Sequence, residues 1–385
     1  MLSPVKTINL TTNLIINSPG FQPGGRMGAI DSNPHLKMGA INIVPRPSNP
    51  HLKMGAIDRA PSSPLFLTSS VLNPFLSALL PFCLLALLMA LPTKASAQYQ
   101  ISQEPKAVIE VFEAMYRYNL PEADSKLKAL NATNIDQTWI DLAHVNLLWW
   151  WLISGDESRD YDNLMAVILN RVINRFSYLP VDKMKDEEVF TMIHCYAYLT
   201  RVDIYQERYF KGIVNLRHTL DYLEIALKNT DRYDKFMMVS GLYNYFAAVT
   251  LIKYPVFTPF FSIAPKCNRE LGFNLLNKCS LMDNVLIKNE SLYYLMKINY
   301  QLEENYDKAL SIADQLLVRY PNNMIYHFHR FMILIEAGRR QQALEQYTTM
   351  LGVSIKAPGL NPLQRNHLVD LAKKRLQKEK INIAI

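Results

Sequence analysis

From about residue 104 to the C-terminus, apolar residues recur every three or four positions, which is the spacing of one face of an α-helix. The stripes include Val108, Val111 and Met115, then Leu216, Leu220 and Leu223, then Leu310, Ala313 and Leu317. Alternation typical of β-strands is scarce, and the periodic runs are separated by Pro121, Pro180, Pro321 and Pro362. The pattern predicts an all-α body of roughly twelve to fourteen helices joined by short turns.

An internal repeat lies near the C-terminus. The segments Asn-Tyr-Asp-Lys-Ala-Leu and Arg-Arg-Gln-Gln-Ala-Leu place Ala309 and Ala343 at equivalent positions, 34 residues apart. This period resembles that of tetratricopeptide repeats, in which Ala309 and Ala343 would be the small mid-repeat residue, Pro321 the closing proline and Tyr347 the second-helix aromatic. The resemblance covers about residues 290–352 and implies antiparallel helix pairs that approach closely at the alanine.

Fainter copies of the second half of this repeat begin near Ala123 and Gly212. Their spacings from each other and from Ala309 are not multiples of the repeat length, so a regular array is not expected. We therefore expect an irregular α-solenoid of tetratricopeptide-like helical hairpins over residues 98–385.

The middle of the chain carries a second, weaker resemblance. Gly241 lies in a helical run, an aromatic and proline-rich segment follows at 254–261, and an Arg-x-x-Gly-x-x-x-Leu run spans 269–276. This order resembles the tetratricopeptide-like family that includes the eukaryotic inclusion-body clearance proteins and their bacterial envelope relatives. Cys267 and Asn268 stand where that family usually has an acidic residue. The resemblance implies a helical repeat fold, with no known enzymatic site and no specific partner.

The first 97 residues differ from the rest. The ten residues from Ser32 to Ile41 recur unchanged from Ser48 to Ile57, without helical or strand periodicity. We expect 1–73 to be a disordered leader, either an adhesive or linker repeat or translated repetitive DNA upstream of the true start codon. Residues 75–91 are almost entirely apolar and precede the small-residue motif Ala95-x-Ala97. We expect 74–97 to be a signal peptide cleaved near Ala97, with a membrane anchor at 75–91 as the alternative.

The formal net charge of +7 does not indicate nucleic-acid binding. Residues 1–97 hold seven basic and two acidic residues, or +5, so the remaining residues carry about +2. A nearly neutral body is not what phosphate binding requires, and we expect no nucleic-acid partner.

The chain shows no phosphate-binding glycine loop, nucleophile elbow or zinc-protease motif, and we predict no catalytic residue, metal ligand or cofactor. His194 beside Cys195 is better explained as part of a buried helix than as a metal or nucleophile site. Cys267 and Cys279 could close a disulfide in an oxidising envelope, although one straight helix would hold them too far apart.

Two aromatic segments leave alternatives open. Trp149, Trp150 and Trp151 are either a crowded core or an anchor for a peptide or membrane, and the segment 254–261 either covers the core or forms an exposed apolar strip.

A solenoid leaves a concave groove lined by the first helix of each pair, and such grooves bind peptides. We place the following residues in that groove: Tyr293, Lys297, Tyr300, His327 and Phe331. The expected function is therefore a non-enzymatic, exported scaffold that binds another protein in the periplasm or at the outer membrane. The alternatives are an envelope enzyme or small-molecule receptor with a pocket under residues 254–267, and peripheral membrane association. The sequence leaves the oligomeric state open.

Overall fold

A computed structural model describes the body of the chain. The described residues are Gln100, 102–156, 160–253, Pro255, Thr258 and 264–381. The expected leader, the apolar run at 75–91 and the cleavage site near Ala97 therefore lie outside the described residues. So does most of the aromatic segment at 254–261.

Within these described ranges the fold is all-α, as the periodicity predicts, and a single bridge pair between Gln100 and Tyr233 is the sole β-type pairing. The helices are α1 (Lys106–Tyr116), α2 (Leu120–Leu130), α3 (Gln137–Ile153), α4 (Tyr161–Phe176), α5 (Asp186–Tyr205), α6 (Tyr209–Lys228), α7 (Asp234–Lys253), α8 (Arg269–Cys279), α9 (Val285–Gln301), α10 (Tyr306–Arg319), α11 (Met324–Glu336), α12 (Arg340–Lys356) and α13 (Pro362–Lys378). Each helix packs against the next one along the chain.

Asparagine side chains begin many of these helices. The Asn305 side chain accepts a hydrogen bond from the Lys308 backbone N–H at 3.2 Å, and Asn323 accepts from the Ile325 N–H at 3.0 Å. The same cap occurs at Asn119, Asn268, Asn284 and Asn361. A side-chain oxygen at this position satisfies a backbone N–H that has no partner inside the helix, which stabilises the helix by about 1 kcal/mol.

Four hairpins share one turn geometry. The residue just before the N-cap of the second helix is left-handed in α1/α2, α5/α6, α9/α10 and α11/α12. These residues are Tyr118 (φ 61°), Glu207 (φ 59°), Glu304 (φ 52°) and Gly338 (φ 71°). Residues other than glycine rarely adopt a positive φ. Because three non-glycine residues do so at the same position of their hairpins, we infer that the hairpin geometry imposes this backbone conformation. The hairpins are structurally equivalent even where their sequences are not.

The residues expected to pack the C-terminal hairpins occupy buried positions or turns. Ala309 in α10 and Ala343 in α12 have no exposed surface, and Tyr347 in α12 is buried. Pro321 lies in the turn between α10 and α11, where it cannot continue the preceding helix.

The first helix closes against helices late in the chain. The Asn323 side-chain amide donates to the Tyr116 carbonyl at 2.8 Å, and the Arg319 guanidinium pairs with Glu113 at 2.9 Å. The Tyr116 ring also lies 5.4 Å from the Tyr320 ring, centroid to centroid. Helices α9 to α11 therefore cover α1 and do not leave an open concave surface beside it.

The C-terminal segment packs against residues of the first four helices and their turns. The Gln364 side chain donates to the Asp156 carboxylate at 2.9 Å in a buried contact between the start of α13 and the α3/α4 turn. A Cβ atom added at Gly359 would lie 2.4 Å from Cγ of Pro121. The last helix thus packs against the first two hairpins as well as against α11 and α12.

Helix α7 is the one helix of the described residues that is long and apolar enough to cross a membrane. Most of it is buried, and it packs extensively against α8. These contacts are typical of the core helix of a folded domain.

Helices α7 and α8 come into backbone contact at two glycines, Gly241 and Gly272. A Cβ atom at Gly272 would lie 2.3 Å from the Tyr245 backbone nitrogen and 2.7 Å from the Gly241 carbonyl oxygen. Because those neighbours are backbone atoms, they cannot rotate away as a side chain would. The two glycines noted in the sequence therefore meet and allow the helix backbones to touch.

We predict that Gly272→Ala lowers the free energy of unfolding by at least about 2 kcal/mol, since the methyl group must push α7 and α8 apart. Gly352→Ala is the matched control, because Gly352 is an exposed residue in α12 with nothing within 4 Å of an added Cβ. That substitution should stabilise the protein by about 1 kcal/mol. Urea unfolding of both variants measures the difference, and equal effects would contradict the glycine contact.

Candidate ligand-binding cavity

The five residues expected to line a peptide-binding groove lie inside the protein. Tyr293, Lys297, His327 and Phe331 are buried, and Tyr300 is half-buried. The Tyr293 hydroxyl and the His329 ring nitrogen are 3.2 Å apart, in a hydrogen bond between α9 and α11. A partner protein cannot reach this surface unless the helices separate, so the placement departs from the expected open groove.

The three successive tryptophans are mainly core residues. Trp149 and Trp150 are buried and Trp151 is half-buried. Trp150 packs edge-on against the rings of Tyr116 and Tyr118 at 6.1 and 6.5 Å. Of the two interpretations of this segment, the crowded core is the one that these contacts support.

The helices line a partly open cavity of about 290 Å³. Its walls come from α1, α3, α5, α6, α7 and α9 together with Glu104, and they are mostly apolar or aromatic. Representative wall residues are Phe112, Trp139, Phe190, Leu220, Phe246 and Leu286. Most of the segment 254–267, under which a pocket was expected, lies outside the described residues; of the described part, the Pro265 carbonyl accepts a hydrogen bond from the hydroxyl of Tyr243, a residue that lines the cavity.

One end of the cavity carries a neutralised lysine. The Lys235 ammonium lies 3.1 Å from a Glu104 carboxylate oxygen and 2.8 Å from a Glu187 oxygen. It also lies 4.3 Å from the centroid of the Trp139 ring, within cation–π range. Both carboxylates compensate the ammonium charge, so this lysine is already fully partnered.

Arg201, from α5, is different. It is 9% exposed, and a guanidinium N–H donates to the Tyr294 hydroxyl at 3.1 Å. The guanidinium also lies over the Tyr198 and Trp149 rings, at 4.6 and 4.9 Å from their centroids. No carboxylate of the described residues forms an ion pair with it. A buried guanidinium stays charged, so Arg201 is a fixed cation held by aromatic faces and a phenol.

Glu290, from α9, is the acid nearest to Arg201 on the cavity wall. Its carboxylate accepts a hydrogen bond from the Tyr116 hydroxyl at 3.2 Å. Burial raises the pKa of Glu290, and the Arg201 charge offsets part of that rise. The two side chains thus influence each other electrostatically without touching.

Three tyrosine hydroxyls and an amide complete the polar side of the cavity. The Tyr198 hydroxyl donates to the Asn146 side-chain oxygen at 2.5 Å, while Tyr116 and Tyr294 bind Glu290 and Arg201. Burial raises the pKa of Tyr116, Tyr198 and Tyr294, so all three remain neutral hydrogen-bonding groups at physiological pH.

His194 stacks on Tyr198, with ring centroids 4.6 Å apart, and it also lines the cavity. Burial, with the Arg201 and Lys235 charges, lowers the pKa of His194 to about 3. Its Nε2 atom is buried without a hydrogen-bond partner in the described part of the chain. The neighbouring Cys195 is fully buried, as expected for a residue inside a helix.

Two ionisable side chains, Cys195 and Lys297, lie on helices of the cavity wall but do not themselves line the cavity. Burial raises the pKa of the Cys195 thiol, which is the opposite of what activates a nucleophile. Lys297, deeper along α9, has a pKa lowered by burial and by Arg201, but it does not line the cavity. In the described part of the chain no group of three or more acidic, histidine or cysteine side chains could hold a metal ion. The polar side chains that line the cavity are suited to binding a ligand through the tyrosine hydroxyls and through the charges of Arg201 and Glu290.

Cysteine chemistry adds nothing to the site. Cys195, Cys267 and Cys279 are all unbonded, and Cys279 is buried in α8. The disulfide considered between Cys267 and Cys279 is therefore not formed.

Comparison of the chain with protein-family models, with curated proteins and with solved structures finds no match. The resemblances to tetratricopeptide repeats and to the inclusion-body clearance family therefore rest on the residues of the chain alone.

We predict that His194→Phe reduces the acid sensitivity of the fold. The unfolded histidine has a pKa of about 6.5, so between pH 6.5 and 3 only the unfolded state takes up the proton, and stability falls as the pH falls. Replacement removes this loss, which is at most about 1.4 kcal/mol per pH unit.

Urea unfolding at pH 7 and pH 5 measures this effect. His218→Phe is the matched control, because His218 is exposed and stacks on Tyr196 at 5.2 Å. If the His194 and His218 variants lose the same stability on acidification as the parent chain, the burial of a neutral His194 is contradicted.

Proposed function

We propose that this chain is a tetratricopeptide-like helical-repeat protein that encloses a small ligand. The repeat assignment is supported by the buried Ala309 and Ala343, 34 residues apart, and by the left-handed residue shared by four hairpins. Ligand binding is supported by one observation above all. An aromatic-lined cavity of about 290 Å³ contains a buried arginine without a carboxylate partner among the described residues.

The size and lining of the cavity define the ligand class. Small-molecule sites are mostly apolar with a few convergent polar groups, and a cavity of about 150 Å³ is enough to hold benzene. The present cavity is about twice that size, which suits one ring or branched chain with a short polar head. The raised pKa of the Cys195 thiol and the neutral His194 favour a receptor or carrier over an enzyme.

The test is binding of para-fluorotoluene to the full chain, followed by fluorine NMR. We expect saturable binding, because the probe fits the apolar part of the cavity. Ala197→Phe should abolish it, since Ala197 lines the cavity at an exposed position, where a phenyl ring would block the opening. Ala129→Phe, at an exposed position of α2 away from the cavity, is the matched control. Probe binding that survives in the Ala197 variant would rule the cavity out as the site.

Protein binding in the cell envelope is the second candidate, and a surface different from the expected groove favours it. At the start of α6, Phe210, Ile213 and Val214 are 81%, 43% and 38% exposed. Large exposed apolar side chains that share one helical face are typical of interaction sites. Exposed Lys211 and Arg217 flank them, which also suits the proposed peripheral membrane contact.

We predict that in-cell crosslinking of the full chain through a C-terminal tag captures an envelope partner. Changing Phe210, Ile213 and Val214 together to serine should abolish the crosslink, because the apolar face is removed. The matched control is Val318→Ser, which alters an 85% exposed residue of α10. Mass spectrometry of the same material should find an N-terminal peptide that starts at Gln98 if the proposed signal is cleaved near Ala97. Retention of 1–97, or a crosslink that the triple change leaves intact, would contradict the corresponding part of this candidate.

A further inference from the structure

The polar end of the cavity holds two opposite charges that face a shared space without pairing. The Arg201 guanidinium and the Glu290 carboxyl both line the cavity, and no ion pair joins them. Each nevertheless affects the protonation of the other, so they lie within electrostatic range. Arg201 is buried and Glu290 is half-buried, so each group has lost part of its hydration without gaining an ion-pair partner among the described residues.

Each charge is fixed in place by neighbours that do not neutralise it. Arg201 is positioned by the Tyr198 and Trp149 rings and by the Tyr294 hydroxyl. Glu290 is positioned by the Tyr116 hydroxyl from α1. These partners use one edge of each group, and a guanidinium with five N–H donors has further donors to offer.

The other charges of the cavity cannot fill this role. Lys235 is compensated by Glu104 and Glu187. With Lys235 compensated, Arg201 and Glu290 remain as the acidic or strongly basic side chains of the cavity wall that have no ion-pair partner among the described residues. A ligand with both a carboxylate and an ammonium group offers a partner to each of these two side chains, whereas a singly charged ligand offers a partner to only one of them.

We propose that this end of the cavity binds a small apolar α-amino acid, with its carboxylate on Arg201 and its ammonium group on Glu290. This inference rests on the proposed ligand-binding function and names the ligand class. An arginine can bind a carboxylate through two parallel hydrogen bonds, and a carboxylate accepts readily from an ammonium group. The apolar side chain then lies among the residues Phe112, Phe246 and Leu286.

The test uses the full chain and four fluorinated probes that share one ring, compared by fluorine NMR titration. para-Fluoro-L-phenylalanine carries both charges, para-fluorophenylpropionate only the carboxylate, para-fluorophenethylamine only the ammonium group, and para-fluorotoluene neither. We expect the amino acid to bind at least about tenfold more tightly than either singly charged probe, because each charged hydrogen bond contributes that much.

Two substitutions assign the charges. Glu290→Gln should remove the advantage of the amino acid over para-fluorophenylpropionate, and Arg201→Met should remove its advantage over para-fluorophenethylamine. Unchanged binding of para-fluorotoluene shows in each case that the variant has folded with its cavity intact. Arg319→Met is the matched control, because Arg319 also lies over a tyrosine ring, that of Tyr320 at 5.3 Å, but outside the cavity.

Two outcomes overturn the inference. If para-fluorotoluene binds and the amino acid has no advantage, the two charges are bridged by water, and the proposed receptor function stands without this ligand class. If none of the four probes binds, the inference and the proposed function both fail.

Discussion

Tyr116, at the end of α1, joins the first helix to residues from three other parts of the fold. Its backbone carbonyl accepts from Asn323, its ring packs against Tyr320 and Trp150, and its hydroxyl donates to Glu290. Through these contacts the first helix occupies the space that a solenoid of repeats would leave open. The residues of α9 and α11 that would line a groove are mostly buried, and a partly open cavity remains between the helices.

The polar chemistry of the cavity depends on the same closure. Arg201 comes from α5, Glu290 from α9 and Tyr116 from α1, and each is brought to the cavity by a different hairpin. Removing charges from water is costly, so these groups destabilise the cavity wall unless a partner compensates them. Lys235 is a buried charge that the fold does compensate. Two carboxylates pair with its ammonium group, and the Trp139 ring lies beside it.

Features that depend on nearby residues could be predicted from the sequence. The apolar periodicity gave the helices, Pro321 marked the end of α10, and the spacing of Ala309 and Ala343 identified two buried, equivalent positions. Gly241 and Gly272 were visible as unusual residues inside helices, although their contact was not. The cavity could not be predicted, because Arg201 meets Tyr294 across 93 residues and Asn323 meets Tyr116 across 207. The expected groove residues lie on α9 and α11, where other parts of the chain bury most of their surface.

The closure of α1 under α11 also changes how the chain must acquire its structure. A linear array of repeats can form and lose its units one at a time, because each repeat touches only its neighbours. Here the contact of the Tyr116 carbonyl with Asn323 and that of the Asp156 carboxylate with Gln364 each join residues about 200 positions apart, so neither can form until most of the body has been synthesised. Contacts of such sequence separation slow folding, since the loop between them must be closed first. The two ends of the body are therefore expected to form as one cooperative unit, so that deletion of the last hairpin unfolds the first.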